Sequence, residues 1–129
     1  MSAFDTSRRR FLVLGGVNRD HHSYTLASNA WTAVTLTGAN AANVASLSQG
    51  AMFYVPAIDR YLVRSASAGN TVYQINPQTF EVTTLATTGG TSIPSTLNGP
   101  FNKFLYVPRL GGAVYVPSYP GNAWFLRLQ

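Results

Sequence analysis

The chain has 129 residues, one domain's worth of polypeptide, with 46% hydrophobic residues for a core and only 10% charged. Four acids (Asp5, Asp20, Asp59 and Glu81) leave few candidates for paired-carboxylate catalysis, and the lack of cysteine excludes a disulfide framework, thiol catalysis and Cys-based zinc sites. The net charge of +5 permits an acidic partner, but Arg8–Arg10, Arg19, Arg60, Arg64, Lys103, Arg109 and Arg127 are scattered along the chain, so a nucleic-acid role is not expected.

The first informative stretch is Ser7–His22, "SRRRFLVLGGVNRDHH". Its arginines followed by Phe-Leu suggest an export signal, but such a signal needs a 7–15-residue apolar region and a small-residue cleavage site. Here Phe11–Leu14 is softened by Gly15-Gly16-Val17 and ended by Asn18-Arg19-Asp20-His21-His22. No functional signal peptide is therefore expected. Nor does any run of 18 apolar residues suggest a membrane span, and a cytoplasmic location is the default unless the chain is a fragment of an exported protein. A dinucleotide-binding turn requires a G-x-G-x-x-G spacing opening a helix, whereas Ser23-Tyr24-Thr25-Leu26 is β-prone. The stretch reads as a strand followed by a hairpin loop.

Further along, residues 53–76, "FYVPAIDRYLVRSASAGNTVYQIN", align without a gap on 105–128, "LYVPRLGGAVYVPSYPGNAWFLRL". The pairs Tyr54/Tyr106, Val55/Val107, Pro56/Pro108, Gly69/Gly121 and Asn70/Asn122 are identical. Arg10–Val13 falls on Arg60–Val63, and Tyr24, Trp31 and Leu36 then fall on Tyr73, Phe80 and Leu85. The chain is read as a single domain of three repeats, about 1–49, 50–98 and 99–129, the last cut short. In the second repeat the strands are expected at Met52–Val55, Arg60–Arg64, Thr71–Ile75 and Phe80–Leu85. The breaks carry Pro, Gly and Asn, residues that fix or permit the turn dihedrals. No segment keeps a 3.6-residue apolar period over three turns, so the expected fold is all-β.

Four-stranded units of this length build β-propeller blades. The first unit, "FLVLGGVNRDHHSYTLASNAWTAVTL", resembles a kelch repeat through Gly15, Gly16, Tyr24 and Trp31. The others depart from that pattern: Ser65-Ala66 and Pro117-Ser118 replace the double glycine, and Phe80 replaces the Trp. The resemblance implies three four-stranded antiparallel blades, the last incomplete, with Trp31, Phe80, Tyr24, Tyr73 and Phe125 in the core.

A ring needs about 4–8 blades, so three leave two apolar faces open. A homodimer closing a six-bladed ring is the expected assembly, with residues 2–6 serving either as their own blade's inner strand or as the partner's missing outer strand. The hairpins 16–23, 65–70 and 117–122 and the long connectors 37–50 and 86–100 are expected on one face. That face would gather Asn18, Arg19, Asp20, His21, His22, Asn70, Tyr119 and Asn122 as ligand-binding candidates. Asp5 and Asp59 are read as turn or edge carboxylates, and Arg8–Arg10 as a solvated turn. Adjacent histidines in an extended segment point to opposite sides, so no metal site is expected at His21-His22, nor is any cofactor. The expected function is a non-catalytic binding scaffold for a glycan or a protein. The alternatives are a carbohydrate-acting propeller enzyme, for which acids are sparse, and a fragment of a longer propeller.

Overall fold

The computed structural model describes residues 1–15, 20–90 and 92–128. The first sheet comprises β1 (Ser2–Asp5), β2 (Arg10–Val13), β3 (His22–Thr25) and β4 (Ala30–Ala33). The second comprises β5 (Gly50–Val55), β6 (Arg60–Ser65), β7 (Val72–Ile75) and β8 (Val82–Leu85), and the third β9 (Phe104–Val107), β10 (Gly112–Tyr115) and β11 (Trp124–Arg127). Each sheet is an antiparallel meander with its strands in chain order. The chain is therefore all-β, with sheets of four, four and three strands that are consistent with a propeller-like blade arrangement. Among the described residues, no helix is long and apolar enough to cross a membrane. Residues 2–5 pair with β2 of their own sheet.

The turns explain why the repeat is regular. In each sheet the first two strands are joined by four residues, 6–9, 56–59 and 108–111. The last of the four is left-handed every time: Arg9 at φ 50°, Asp59 at 50° and Gly111 at 61°. The backbone N–H of Asp59 donates to Pro56 O at 3.2 Å, and that of Gly111 to Pro108 O at 3.0 Å. Proline presets the dihedral that opens such a turn. At the β7–β8 turn, Asn76 Oδ1 accepts the backbone N–H groups of Gln78 (2.8 Å) and Thr79 (3.2 Å).

Sheet 2 is covered on both sides because its side chains alternate. Met52, Tyr54, Tyr61, Val63, Ile75 and Val82 pack against Ala3, Leu12 and Leu14 of the sheet 1 side. Ala51, Val55, Leu62 and Val72 pack against Phe104, Ala113 and Tyr115 of sheet 3. The first strands of neighbouring sheets touch, β1 on β5 and β5 on β9. Connector 37–50 holds a short helix, α1 (Ala41–Ala45), whose Val44 is buried in the first cluster.

Two expectations about the core need correction. Trp31 is 60% exposed and Phe125 49%, while Tyr24, Tyr73 and Phe80 are half-buried. Trp31 lies on the face of sheet 1 turned away from sheet 2, where no further sheet covers it. Phe125 is exposed for a second reason. Val63 pairs with Tyr73 in sheet 2, but Tyr115 pairs with Trp124 in sheet 3, so the hairpin between them is one residue shorter. The ungapped alignment therefore slips by one at this strand, and a one-residue slip moves each side chain to the other face. Trp124, not Phe125, is the counterpart of Tyr73, and it packs inward with Leu126.

Candidate functional site

Sheets 1 and 3 each present an uncovered face built by strand alternation. On sheet 1 the register aligns Phe4, Phe11, Tyr24 and Trp31 in one cross-strand row. The rings touch along it: Phe4–Phe11 centroids are 4.7 Å apart and Tyr24–Trp31 5.0 Å. Tyr24 also hydrogen-bonds Asn29 Oδ1. On sheet 3 the matching row is Leu105, Val114 and Phe125, with Leu110 exposed at the adjoining turn. The Phe125 ring lies over Gly112, where an added Cβ would meet it at 2.5 Å and Leu126 O at 2.4 Å. Gly112 thus makes room for this aromatic and for close strand pairing.

The same rows in sheet 2 are buried. Tyr54, Tyr61, Ile75 and Val82 form the row equivalent to Phe4, Phe11, Tyr24 and Trp31, and they pack on sheet 1. Phe53 and Leu62 form the row equivalent to Leu105 and Val114, and they pack on sheet 3. The two uncovered faces are thus, position for position, the two sides of a sheet-to-sheet junction.

The turn end of the junction between sheets 1 and 2 carries an ion network. Arg8 donates from both terminal nitrogens to Asp59, at 2.7 and 2.8 Å, and to Asp5 Oδ2 at 3.1 Å. Tyr54 O–H donates to Asp59 Oδ1 at 2.6 Å, with Ser7 Oγ at 2.9 Å from the same oxygen. The Arg8 guanidinium, then the Tyr54 hydroxyl, hold the Asp59 carboxyl down to about 2. Burial, with the neighbouring Asp59, pushes the Tyr54 phenol up. Asp5 is fully buried beside Tyr61, whose phenol is raised to about 12 chiefly by burial. The expectation of a solvated arginine turn fails for Arg8 and Arg10. Arg10 donates to Pro77 O and lies 5.2 Å over the Phe80 ring, leaving Arg9 as the exposed member.

At the opposite end, sheets 2 and 3 part around a cavity of about 190 Å³. Its buried end is formed by Arg64 and Tyr115, and its exposed end by Thr88, Gly89 and Gly90 of connector 86–100. This connector is tied to the β6–β7 hairpin: Gly69 N–H donates to Ile93 O at 2.8 Å and Thr96 N–H to Ala66 O at 2.8 Å. Asn70 Oδ1 accepts Ile93 N–H at 3.1 Å, and Asn70 O accepts the Thr87 hydroxyl at 3.3 Å. The long connector is thereby fixed as one wall.

The residues expected to gather on the loop face separate into groups. Asn18 and Arg19 lie outside the described residues. Asp20 is exposed, and His21 Nδ1 accepts the Gly15 N–H at 3.1 Å while burial lowers its pKa. His22 is not in the loop: it opens β3 opposite Val13, and its ring meets Trp31 edge-on at 6.4 Å. Of the candidates, Asn70 alone lines the cavity described above, as a wall bonded to the connector. Tyr119, 98% exposed, and Asn122 project from the β10–β11 hairpin. Among the described residues no three His, Asp or Glu side chains are grouped to hold a metal ion. Arg64, Tyr115, Thr88 and Trp124 were not singled out by sequence reasoning. The second arginine of the strand "RYLVRS", following the apolar run Tyr61–Val63, was the available signal.

A scan against protein-family models finds no match, and neither the curated proteins nor the solved structures return a similar protein.

Proposed function

We propose that this protein is a non-catalytic interaction scaffold whose three sheets are half of a six-bladed propeller, completed by a second copy. One observation carries the reading: the outer rows of sheets 1 and 3 occupy the positions that mate inside the chain. Two large aromatic and aliphatic faces without a capping unit seek partners. Two copies supply six blades, within the range of known rings, and three would supply nine. A head-to-tail contact repeated after a half-turn covers both faces of both copies. The hairpins and connectors of the ring then share one side, and the exposed Tyr119 and Asn122 suit a glycan or a protein surface there.

The assembly is tested by light scattering on wild type, Phe11→Lys, Val114→Glu and an equimolar mixture of the two variants. Wild type is expected at twice the 13.9 kDa chain mass. Each variant is expected as a monomer, because a charge desolvated without a partner opposes docking. The mixture restores the dimer, since each seam then has either two native faces or a Lys opposite a Glu. A cooperatively folded wild-type monomer at micromolar concentration refutes the ring. Variants that stay monomeric when mixed refute the head-to-tail geometry.

A further inference from the structure

Arg64 is a buried cation that meets no counter-charge among the described residues. Its residue is 1% exposed, and it reaches its position because β6 alternates, placing Leu62 and Arg64 on the face toward sheet 3. The guanidinium donates to Thr71 O at 3.2 Å and Gly69 O at 2.8 Å, and sits 4.7 Å over the Tyr115 ring. Tyr115 is in turn held by a hydrogen bond with the Thr96 hydroxyl. These contacts orient the group but bring no negative charge. The Nε–H is buried with no hydrogen-bond partner among the described residues.

All four acids are accounted for elsewhere. Asp5 and Asp59 pair with Arg8, while Asp20 and Glu81 are exposed, on the β2–β3 loop and the β7–β8 turn. A buried charge is costly unless an opposite charge meets it. Here the charge lies at the closed end of a cavity that opens at Thr88–Gly90.

We propose that the cavity between sheets 2 and 3 binds a small monocarboxylic acid with an apolar body, its carboxylate on Arg64. A single cation calls for a single negative charge. The guanidinium fork donates to two carboxylate oxygens side by side, and such charge-assisted pairs are the strong hydrogen bonds. Val72, Ile93, Ala113, Trp124 and Leu126 supply an apolar wall that suits hydrocarbon, beside the polar Asn70, Thr87 and Thr88. About 190 Å³ is below the range typical of drug-sized ligands and suits an aromatic or short-chain acid. The walls come from one chain, so this site stands independently of the ring.

Benzoate is the probe, with benzamide as its uncharged analogue and inorganic phosphate as the competing anion, read by calorimetry and thermal shift. Wild type is expected to bind benzoate saturably and at least tenfold more tightly than benzamide. Arg64→Leu is expected to lose benzoate binding while keeping a cooperative melt. Thr88→Trp at the exposed rim is expected to block binding with Arg64 in place, which preserves the test if the Leu variant fails to fold. No saturation of wild type at about 10 mM benzoate, where even a 1 mM Kd is largely filled, overturns the proposal. So does benzoate binding that survives either substitution, or binding of phosphate in preference to benzoate.

Discussion

The two internal junctions use the same backbone rows but put their polar groups at opposite ends. Between sheets 1 and 2, Asp5, Arg8, Asp59 and Tyr54 knit the turn end, while Leu14, Val34 and Val44 close the other end with apolar packing. Between sheets 2 and 3 the equivalents of Asp5, Arg8 and Asp59 are Val55, Ile58 and Gly111, so the turn end has no carboxylate, and the half-buried Arg60 there donates to Asp59 O at 2.8 Å. The fully buried charge sits at the connector end, where Arg64 occupies the position Leu14 holds in sheet 1. A propeller-like junction therefore needs matched rows but not conserved chemistry at its ends. What distinguishes the two is charge balance. The first junction closes on its own carboxylates, and the second leaves a cation facing a cavity.

The largest expected effect comes from breaking that balance. Asp5→Ala removes a fully buried carboxylate and leaves Arg8 and Arg10 facing each other with less compensation. Loss of one member of a buried pair costs about 3–5 kcal/mol, and about 3 is expected here because both arginines retain some access to water. The positional counterpart in the second junction, Val55→Ala, removes only hydrocarbon, for which about 2 kcal/mol is expected from lost transfer energy and the residual cavity. Urea denaturation of both variants measures the contrast. Equal losses would show that the ion network adds nothing beyond ordinary packing.

Acid provides a gentler way to open the first junction. The Asp59 carboxyl titrates at about 2 in the folded chain, against about 4 when unfolded. Because the unfolded state takes up the proton first, the stabilisation is fully present above about pH 4 and is lost as pH falls through 2. Melting temperatures recorded across this window should fall more steeply for wild type than for Asp59→Asn. Parallel curves would remove Asp59 from the account of acid stability.

The strands and their meander order were legible because Tyr-Val-Pro and Gly-Asn recur in register, and because alternation and turn residues are local signals. The faces were less legible. Which row of a sheet is covered depends on whether a neighbouring sheet exists, so Trp31 reads as core in the repeat yet is exposed in the chain. The loop one residue shorter before β11 was hidden by identical Gly-Asn pairs that invite an ungapped alignment. Arg8 was misread because its main partner, Asp59, lies 51 residues away and only the stacking of two turns brings them together. The site was legible only at Asn70. Arg64 looks like one scattered arginine until its burial and the positions of all four acids are known.

The smallest expected effect separates backbone from side chain at one shared turn position. Arg9, Asp59 and Gly111 all adopt the left-handed conformation there, and only the third is glycine. A side chain in that region costs about 1 kcal/mol, which glycine avoids at the expense of greater freedom in the unfolded chain. Arg9 is exposed, and Arg9→Gly is therefore expected to be neutral or to stabilise by about 0.5 kcal/mol. Asp59→Gly gives the backbone the same relief but strips Arg8 and Tyr54 of their shared acceptor, so a net loss is expected. The same substitution thus changes sign between equivalent turns. The difference between the two unfolding free energies reads out the network itself, because the turn geometry cancels. If both variants shift alike, the carboxylate at this turn is dispensable, and sequence at the ends of a junction is free to vary while the rows hold the sheets together.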